Sequence, residues 1–400
     1  MPPPDDLIRL TPAIPRVERF AGLDVLRGIA AIGVVFWHWQ HFFAGAAPPY
    51  DITRAPLADA LAVFYRHGWL AVDLFFCLSG FIFFRLYATR VSNGEIGAGR
   101  FALLRFSRLY PLHLLTLLLV AAGQGWLARA GLPAYVYENN DVRHFVLNLA
   151  FAPSWGLENG YSFNGPAWSI SVEIFLYAAF FVFCRHVPVR LATVVVAALL
   201  GFAFAAVAYP PIGRGIGAFF VGGLTWMVYE RLEASAQRAI VLRAIVAAAV
   251  LSWCATLVLV SGATPIPAPV MTGAFRHAPK AWAVLWLFPV TILALASVER
   301  KLPEAVRRAA ALGDISYSVY LLHFPLQLAV YIFHGRLHAD SSIYYSLPLA
   351  AAFLAVLLAL ATLSYRAFEM PLQQWLRGAR GRAALPTNAI ESPPARISRH

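Results

Sequence analysis

The sequence is short of charge. Of its 400 residues only 13% are Asp, Glu, Lys or Arg, about half the share of a soluble domain, and 60% are hydrophobic. That balance excludes an ordinary water-soluble fold. Cysteine is equally sparse. Cys77, Cys184 and Cys254 lie far apart, each inside an apolar run, which excludes a disulfide framework or a metal-ligand spacing. They read as small buried hydrophobes. No G-x-S-x-G, P-loop, H-E-x-x-H or C-x-x-C pattern occurs, so the common hydrolase, nucleotidase, zinc-protease and thiol-redox signatures are absent. The Pro-rich N-terminal stretch has no apolar segment leading to a small-residue cleavage site and does not read as a signal peptide.

Apolar runs fill the chain instead. Ten are long enough, or nearly so, to cross a bilayer: Gly22–Phe42, Gly68–Tyr87, Phe106–Gln124, Gly165–Cys184, Leu191–Tyr209, Gly215–Tyr229, Ala244–Val260, Ala281–Ala296, Leu312–Phe333 and Tyr345–Phe368. A weaker run, Phe145–Phe151, is too short to span and reads as a re-entrant or interfacial piece in the long Gly125–Asn164 loop. The expected fold is an all-α polytopic transmembrane bundle. The net charge of +12 fits it as a topology signal. With ten spans and a cytoplasmic N-terminus, 23 Lys and Arg fall on the inner side and 8 on the outer. Both termini are then cytoplasmic: a segment over residues 1–19, a membrane domain over 20–375, and a basic, disordered tail over 376–400. No transporter-like repeat of two halves is detectable.

Ionisable side chains inside such spans are expensive, which makes them functional candidates. The first span carries Arg27 and His38. Eleven residues are close to three helical turns, so both side chains leave one face, about 16 Å apart along the axis. Gly28 and Gly33 leave room there for a close neighbour. The bland alternatives are an interfacial Arg27 paired with Asp24 and a structural, hydrogen-bonded His38. Glu173 falls two turns into the fourth span, at about the depth of His38, where it would orient the imidazole or pair with Arg214. Asp73 is placed equally well for function or structure, and Ser79-Gly80 suits close helix packing. Arg105 and Arg108, one turn apart at the inner mouth of the third span beside Tyr110, read as a phosphate-binding pair or as ordinary inner-side charge. His323, two residues before Pro325, lines the cavity or serves the backbone that the proline disrupts.

Taken together, six blocks in order resemble the acyltransferase 3 family of membrane proteins. They are Arg27 with His38 eleven residues on, Asp73-Leu-Phe-Phe-Cys-Leu-Ser-Gly80, Arg105-Phe-Ser-Arg108-Leu-Tyr-Pro111, Trp168-Ser-Ile-Ser-Val-Glu173, Ile315-Ser-Tyr-Ser-Val-Tyr-Leu-Leu-His323-Phe-Pro325 and Ser364-Tyr-Arg366-Ala-Phe-Glu369-Met-Pro371. Val25 and Ile174 depart from residues common in that family.

The resemblance implies an inner-membrane bacterial O-acyltransferase. Acyl-CoA, most often acetyl-CoA, is the co-substrate, with no permanently bound cofactor or metal, and the acceptor is a hydroxyl of a sugar, glycan or similar molecule. It implies catalytic roles for His38, Glu173 and Arg27. Arg27, Arg105, Arg108 and Tyr110 would meet the CoA, and Asp73, Ser79, Trp168, Ser169, Arg214, Tyr317 and His323 would line or support the cavity. Direct transfer and an acyl-histidine intermediate both stay open, and an exporter of a glycan or small molecule is the competing reading.

Overall fold

A computed structural model describes residues 19–44, 49–261, 278–337 and 340–378. All but the last residue of the expected segment over 1–19, and residues 379–400 of the expected tail over 376–400, lie outside these residues. Among them there is helix and loop but no strand. That suits a chain in lipid, where every backbone polar group must be paired within its own segment.

In chain order the α-helices are α1 (Ala21–Trp37), α2 (Ala62–His67), α3 (Ala71–Ser92), α4 (Ala98–Arg129), α5 (Val142–Leu149), α6 (Trp168–His186), α7 (Leu191–Val207) and α8 (Pro210–Glu233). There follow α9 (Arg238–Ser261), α10 (Ala278–Trp282), α11 (Phe288–Val298), α12 (Glu304–Ala309), α13 (Ala311–Asp314), α14 (Ser316–Leu337), α15 (Leu347–Ser364) and α16 (Met370–Gly378). Each of the ten apolar runs coincides with a helix. Among the described residues, eight helical stretches are long and apolar enough to cross a membrane, the first over Ala21–Phe43 and the last over Leu347–Gly378. The other two runs form the 17-residue α7 and the glycine-rich α8. The weak run at Phe145 forms only the eight-residue α5. Helix α16 continues to Gly378, three residues past the expected membrane-domain boundary.

Local sequence sets the helix starts. Pro166 opens the turn into α6, and Pro210 and Pro211 open α8 without wasting an amide. Asp141 caps α5 by accepting from the His144 amide (2.9 Å) and ring Nδ1 (2.8 Å). Those bonds, the backbone one first, hold the Asp141 carboxyl below its usual range. Glycine sets the closest helix pair. A Cβ on Gly80 would strike the Phe219 carbonyl, and one on Gly222 would strike the Cys77 carbonyl. Helices α3 and α8 therefore touch backbone to backbone, as small residues allow in lipid.

Packing directions follow from cross-contacts. Arg27 meets Ser316 and His38 meets His323, so α1 and α14 run parallel. Helix α4 runs with them, through Leu109–Tyr317 and Gly123–Leu328. Helices α3 and α8 are parallel to each other through Asp73–Arg214 and Phe81–Trp226. Helices α7 and α8 are antiparallel, with Gly201 on Gly217 and Gly213 on Ala205.

The core is aromatic and centres on Phe76, Phe81, Phe180 and Phe219, all fully buried. By contrast α9 presents Val250, Leu251, Leu257, Val258 and Leu259 outward, and α7 presents Val196, Leu199 and Leu200. Cys77 and Cys184 are buried as expected, but Cys254 is exposed on α9. The apolar run it sits in faces outward rather than into a core, so that expectation is corrected.

Candidate functional site

Arg27 and His38 leave α1 toward the same neighbour, α14. The Arg27 guanidinium donates to the Gly313 carbonyl (2.5 Å from Nη2) and to Ser316 Oγ (3.0 Å), and Asp24 lies 3.3 Å away. It is thus anchored to the α13–α14 turn and to its own helix. Gly28 permits this closeness, because a Cβ there would press on Leu312. Just ahead of α1, Arg19 joins Asp24 (2.5 Å) to Asp314 (2.6 Å), which ties the entry of α1 to α13.

At His38 the α-helix tightens into a 3-10 turn, His38–Phe43. In that geometry residues three apart eclipse. His41 therefore lies against His38, with ring centroids 4.6 Å apart. On its other side His38 Nδ1 meets His323 Nε2 at 3.0 Å, with the two rings only 9° from parallel. Gln327, one turn on along α14, donates to the His38 carbonyl (2.9 Å). His323 and Gln327 are completely buried, whereas His38 is only partly so. Its Nε2 has no hydrogen-bond partner among the described residues and is not among the sealed, unpaired atoms.

Pro325 denies the Leu321 carbonyl its helical partner. The Asn164 side chain supplies the missing donor (3.1 Å). His323 instead spends its Nδ1 on the Tyr320 carbonyl (2.6 Å). The carbonyl that Pro325 leaves open is thus served by Asn164 and not by His323, which meets the Tyr320 carbonyl and His38 instead.

Glu173 is not the hydrogen-bond partner of His38. It accepts from Ser79 Oγ (3.0 Å) and from the Tyr177 hydroxyl one turn along α6. Its expected alternative partner, Arg214, is held by Asp73 through two contacts of 2.6 Å. Asp73 is completely buried, and the Arg214 guanidinium stacks near Trp69 and Trp168. Asp73 and Arg214 thus lock α3 to α8, which is the structural reading of both. Ser169 meets the Tyr320 hydroxyl (2.8 Å), which also donates to the Pro166 carbonyl (2.8 Å).

In the first half of α4, Arg105 is buried in an aromatic box of Phe83, Tyr87 and Tyr177 and donates to the Tyr87 hydroxyl (2.8 Å). Its Nε has no partner. Arg108 lies within electrostatic reach of Arg27, Tyr177, Tyr317 and Glu369. The expected phosphate cluster is therefore not one open patch. Arg27 is engaged by α13–α14 and Arg105 by rings. Tyr110 stacks on Phe106 and abuts Phe151, and Tyr317 donates to the Leu109 carbonyl (2.6 Å).

Sequence reasoning did not single out His41, Gln327, Tyr177 or Glu369. Glu369 is buried at a π-turn, Tyr365–Glu369, and accepts from Ser318 (2.6 Å) and Ser364 (2.7 Å). The available signals were a second histidine one turn after His38 and a carboxylate at the end of the last apolar run. The six ordered blocks converge spatially, with the α4 block reaching α14 through Leu109–Tyr317 and the α6 block reaching it through Ser169–Tyr320. The α1 pair meets the α14 block, the α3 and α6 blocks join through Ser79–Glu173, and the last block meets α14 through Ser318–Glu369.

Comparison with known proteins places the chain among acyltransferases. The chain is 28% identical over 408 residues to the acyltransferase MdmB of Streptomyces mycarofaciens, covering 95% of this chain and 98% of that one. It is 36% identical over 177 residues to protein 2 of the picA locus of Rhizobium radiobacter, covering 41% of this chain and 81% of that one. No solved structure matches significantly. The family model described as an acyltransferase domain matches residues 20–366, which takes in the Arg27–His38 face, the α14 block and the first three residues of the final block, and the chain belongs to that acyltransferase 3 family.

Proposed function

We propose that this membrane acyltransferase takes an acyl group, in the first instance acetyl, from acyl-CoA at its cytoplasmic mouth and places it on a hydroxyl of a sugar, glycan or similar acceptor. The observation that carries the reading is the Nε2 of His38, which no described side chain or backbone group engages. It belongs to an otherwise enclosed imidazole on the same face of α1 as Arg27.

His38 acts as general base. Its Nε2 takes the acceptor proton as the oxygen attacks the thioester carbon, the C–S bond breaks, and the departing thiolate recovers that proton. Base catalysis of this kind contributes about 10²–10⁴ in rate. Arg108, with Arg27 and Arg105 in reach, supplies the positive field for the CoA phosphates. Glu173, held by Ser79 and Tyr177, is a polar wall of the cavity rather than the partner of the base.

The topology that serves this reaction has ten traverses with both termini cytoplasmic, in a bacterial inner membrane. The packing directions support it. The first, third and ninth runs lie parallel, the second and sixth lie parallel, and the fifth and sixth oppose each other, as alternating crossings require. The charge bias agrees.

Mass spectrometry of surface glycans and secreted metabolites from cells with and without the gene tests the reading. A species lighter by one acyl group in the deletion, restored by the gene but not by its His38→Ala form, is expected. Identical acyl masses in both strains would refute it.

A further inference from the structure

We propose that His323 is a positioning residue that fixes the tautomer of His38 and so makes Nε2 the reactive nitrogen. The inference rests on the acyl-transfer reading of His38 and extends it to a residue on another helix.

The argument starts from the Tyr320 carbonyl, which can only accept. The ring nitrogen 2.6 Å from it, His323 Nδ1, therefore carries a proton. A neutral imidazole has one N–H, so His323 Nε2 holds a lone pair. That lone pair faces His38 Nδ1 at 3.0 Å, which makes His38 Nδ1 the donor and leaves His38 Nε2 bare. The ring geometry agrees. A lone pair lies in the plane of its ring, and the two rings are 9° from parallel with centroids 5.0 Å apart.

The opposite assignment puts a cation on His323. That side chain is completely buried, and its partners are a carbonyl and an imidazole, with no carboxylate among them. An unpaired buried charge is the costlier state. The neighbours hold the pair in register. Gln327 fixes the His38 carbonyl where the helix tightens, Asn164 fixes the α14 backbone beside Pro325, and His41 closes the other ring face. When His38 takes the acceptor proton, its Nδ1–H becomes a charged donor to a waiting acceptor, and such bonds are roughly twice as strong as neutral ones.

The test uses the full chain in lipid nanodiscs, with ¹⁵N-labelled histidine and the His38→Gln protein to assign the resonance. His323→Phe removes the acceptor and His323→Gln keeps one in Oε1. Both variants are checked for an unchanged elution volume and unfolding temperature. In the natural protein His38 is expected to be protonated at Nδ1 and bare at Nε2. In His323→Phe that preference is lost. With acetyl-CoA and a methyl glycoside as probes, His323→Phe is expected to lower kcat by roughly 10²-fold, with KM for acetyl-CoA within about threefold. His323→Gln is expected to recover most of the loss. A His38 protonated at Nε2 in the natural protein overturns the inference, as does a folded His323→Phe protein that keeps its kcat and its tautomer. Should the natural protein transfer no acetyl group, the functional reading fails, while the ring nitrogens still decide the tautomer.

Discussion

Two seams of this bundle carry ionisable groups at membrane depth, and they treat them differently. In the α3–α8 seam, Asp73 and Arg214 close on each other through two short contacts, and the Trp69 carbonyl takes a further guanidinium hydrogen. The carboxylate is fully enclosed and satisfied. In the α1–α14 seam, three imidazoles meet with no carboxylate among their hydrogen-bond partners, and His41 Nδ1, Gln327 Oε1 and the accessible His38 Nε2 are left without partners. A buried polar group left unpaired costs about 1–3 kcal/mol. A fold that satisfies one seam completely and leaves the other open has one lock and one site. Polarity alone does not separate the two, since both stand out equally in the sequence.

Breaking the lock should have the largest effect on stability. Asp73→Ala strands the Arg214 guanidinium against the indole rings and is expected to cost about 3–5 kcal/mol. It would be seen as a loss of folded protein in detergent. Replacing both partners together with leucine should recover most of that loss, because an apolar pair of similar volume is often neutral. A double variant as unstable as the single would show that the seam needs the charges themselves. The next effect is steric. Gly80→Val drives a side chain into the Phe219 carbonyl and is expected to cost about 1–3 kcal/mol, read as a lower unfolding temperature. An unchanged unfolding temperature would mean that α3 and α8 separate freely.

The smallest effect sharpens the contrast from the other side. Glu173→Gln keeps an acceptor for Ser79 and Tyr177 and should leave activity within about tenfold of the natural protein, since a factor of ten equals only 1.4 kcal/mol. A loss as deep as that of a His38 variant would restore Glu173 to the role of orienting partner.

The helices were largely legible in the sequence because lipid imposes one rule, a run of apolar residues long enough to cross. The shared face of Arg27 and His38 was legible too, since eleven residues fix an angle within a single helix. Contacts between helices were not. Glu173 and His38 lie at similar depth, yet depth says nothing about which helix stands between them. Arg105 looked like a phosphate ligand by charge, but Phe83 and Tyr177 come from other helices to box it in. His41 follows His38 by about one turn, but the local 3-10 turn that eclipses the two rings is not legible in an apolar run read as one uniform α-helix. Cys254 was assigned to a core because an apolar run looks the same whether it faces protein or lipid.

The most direct test of the account is the transfer of label from [¹⁴C]acetyl-CoA into the lipid, glycan and metabolite fractions of inside-out membrane vesicles bearing the full chain. Label is expected to depend on the protein and to fall by at least about 10²-fold in His38→Ala, with the same amount of folded protein in the membrane. Incorporation by His38→Ala at the natural rate would contradict the account, which places the reacting base on His38.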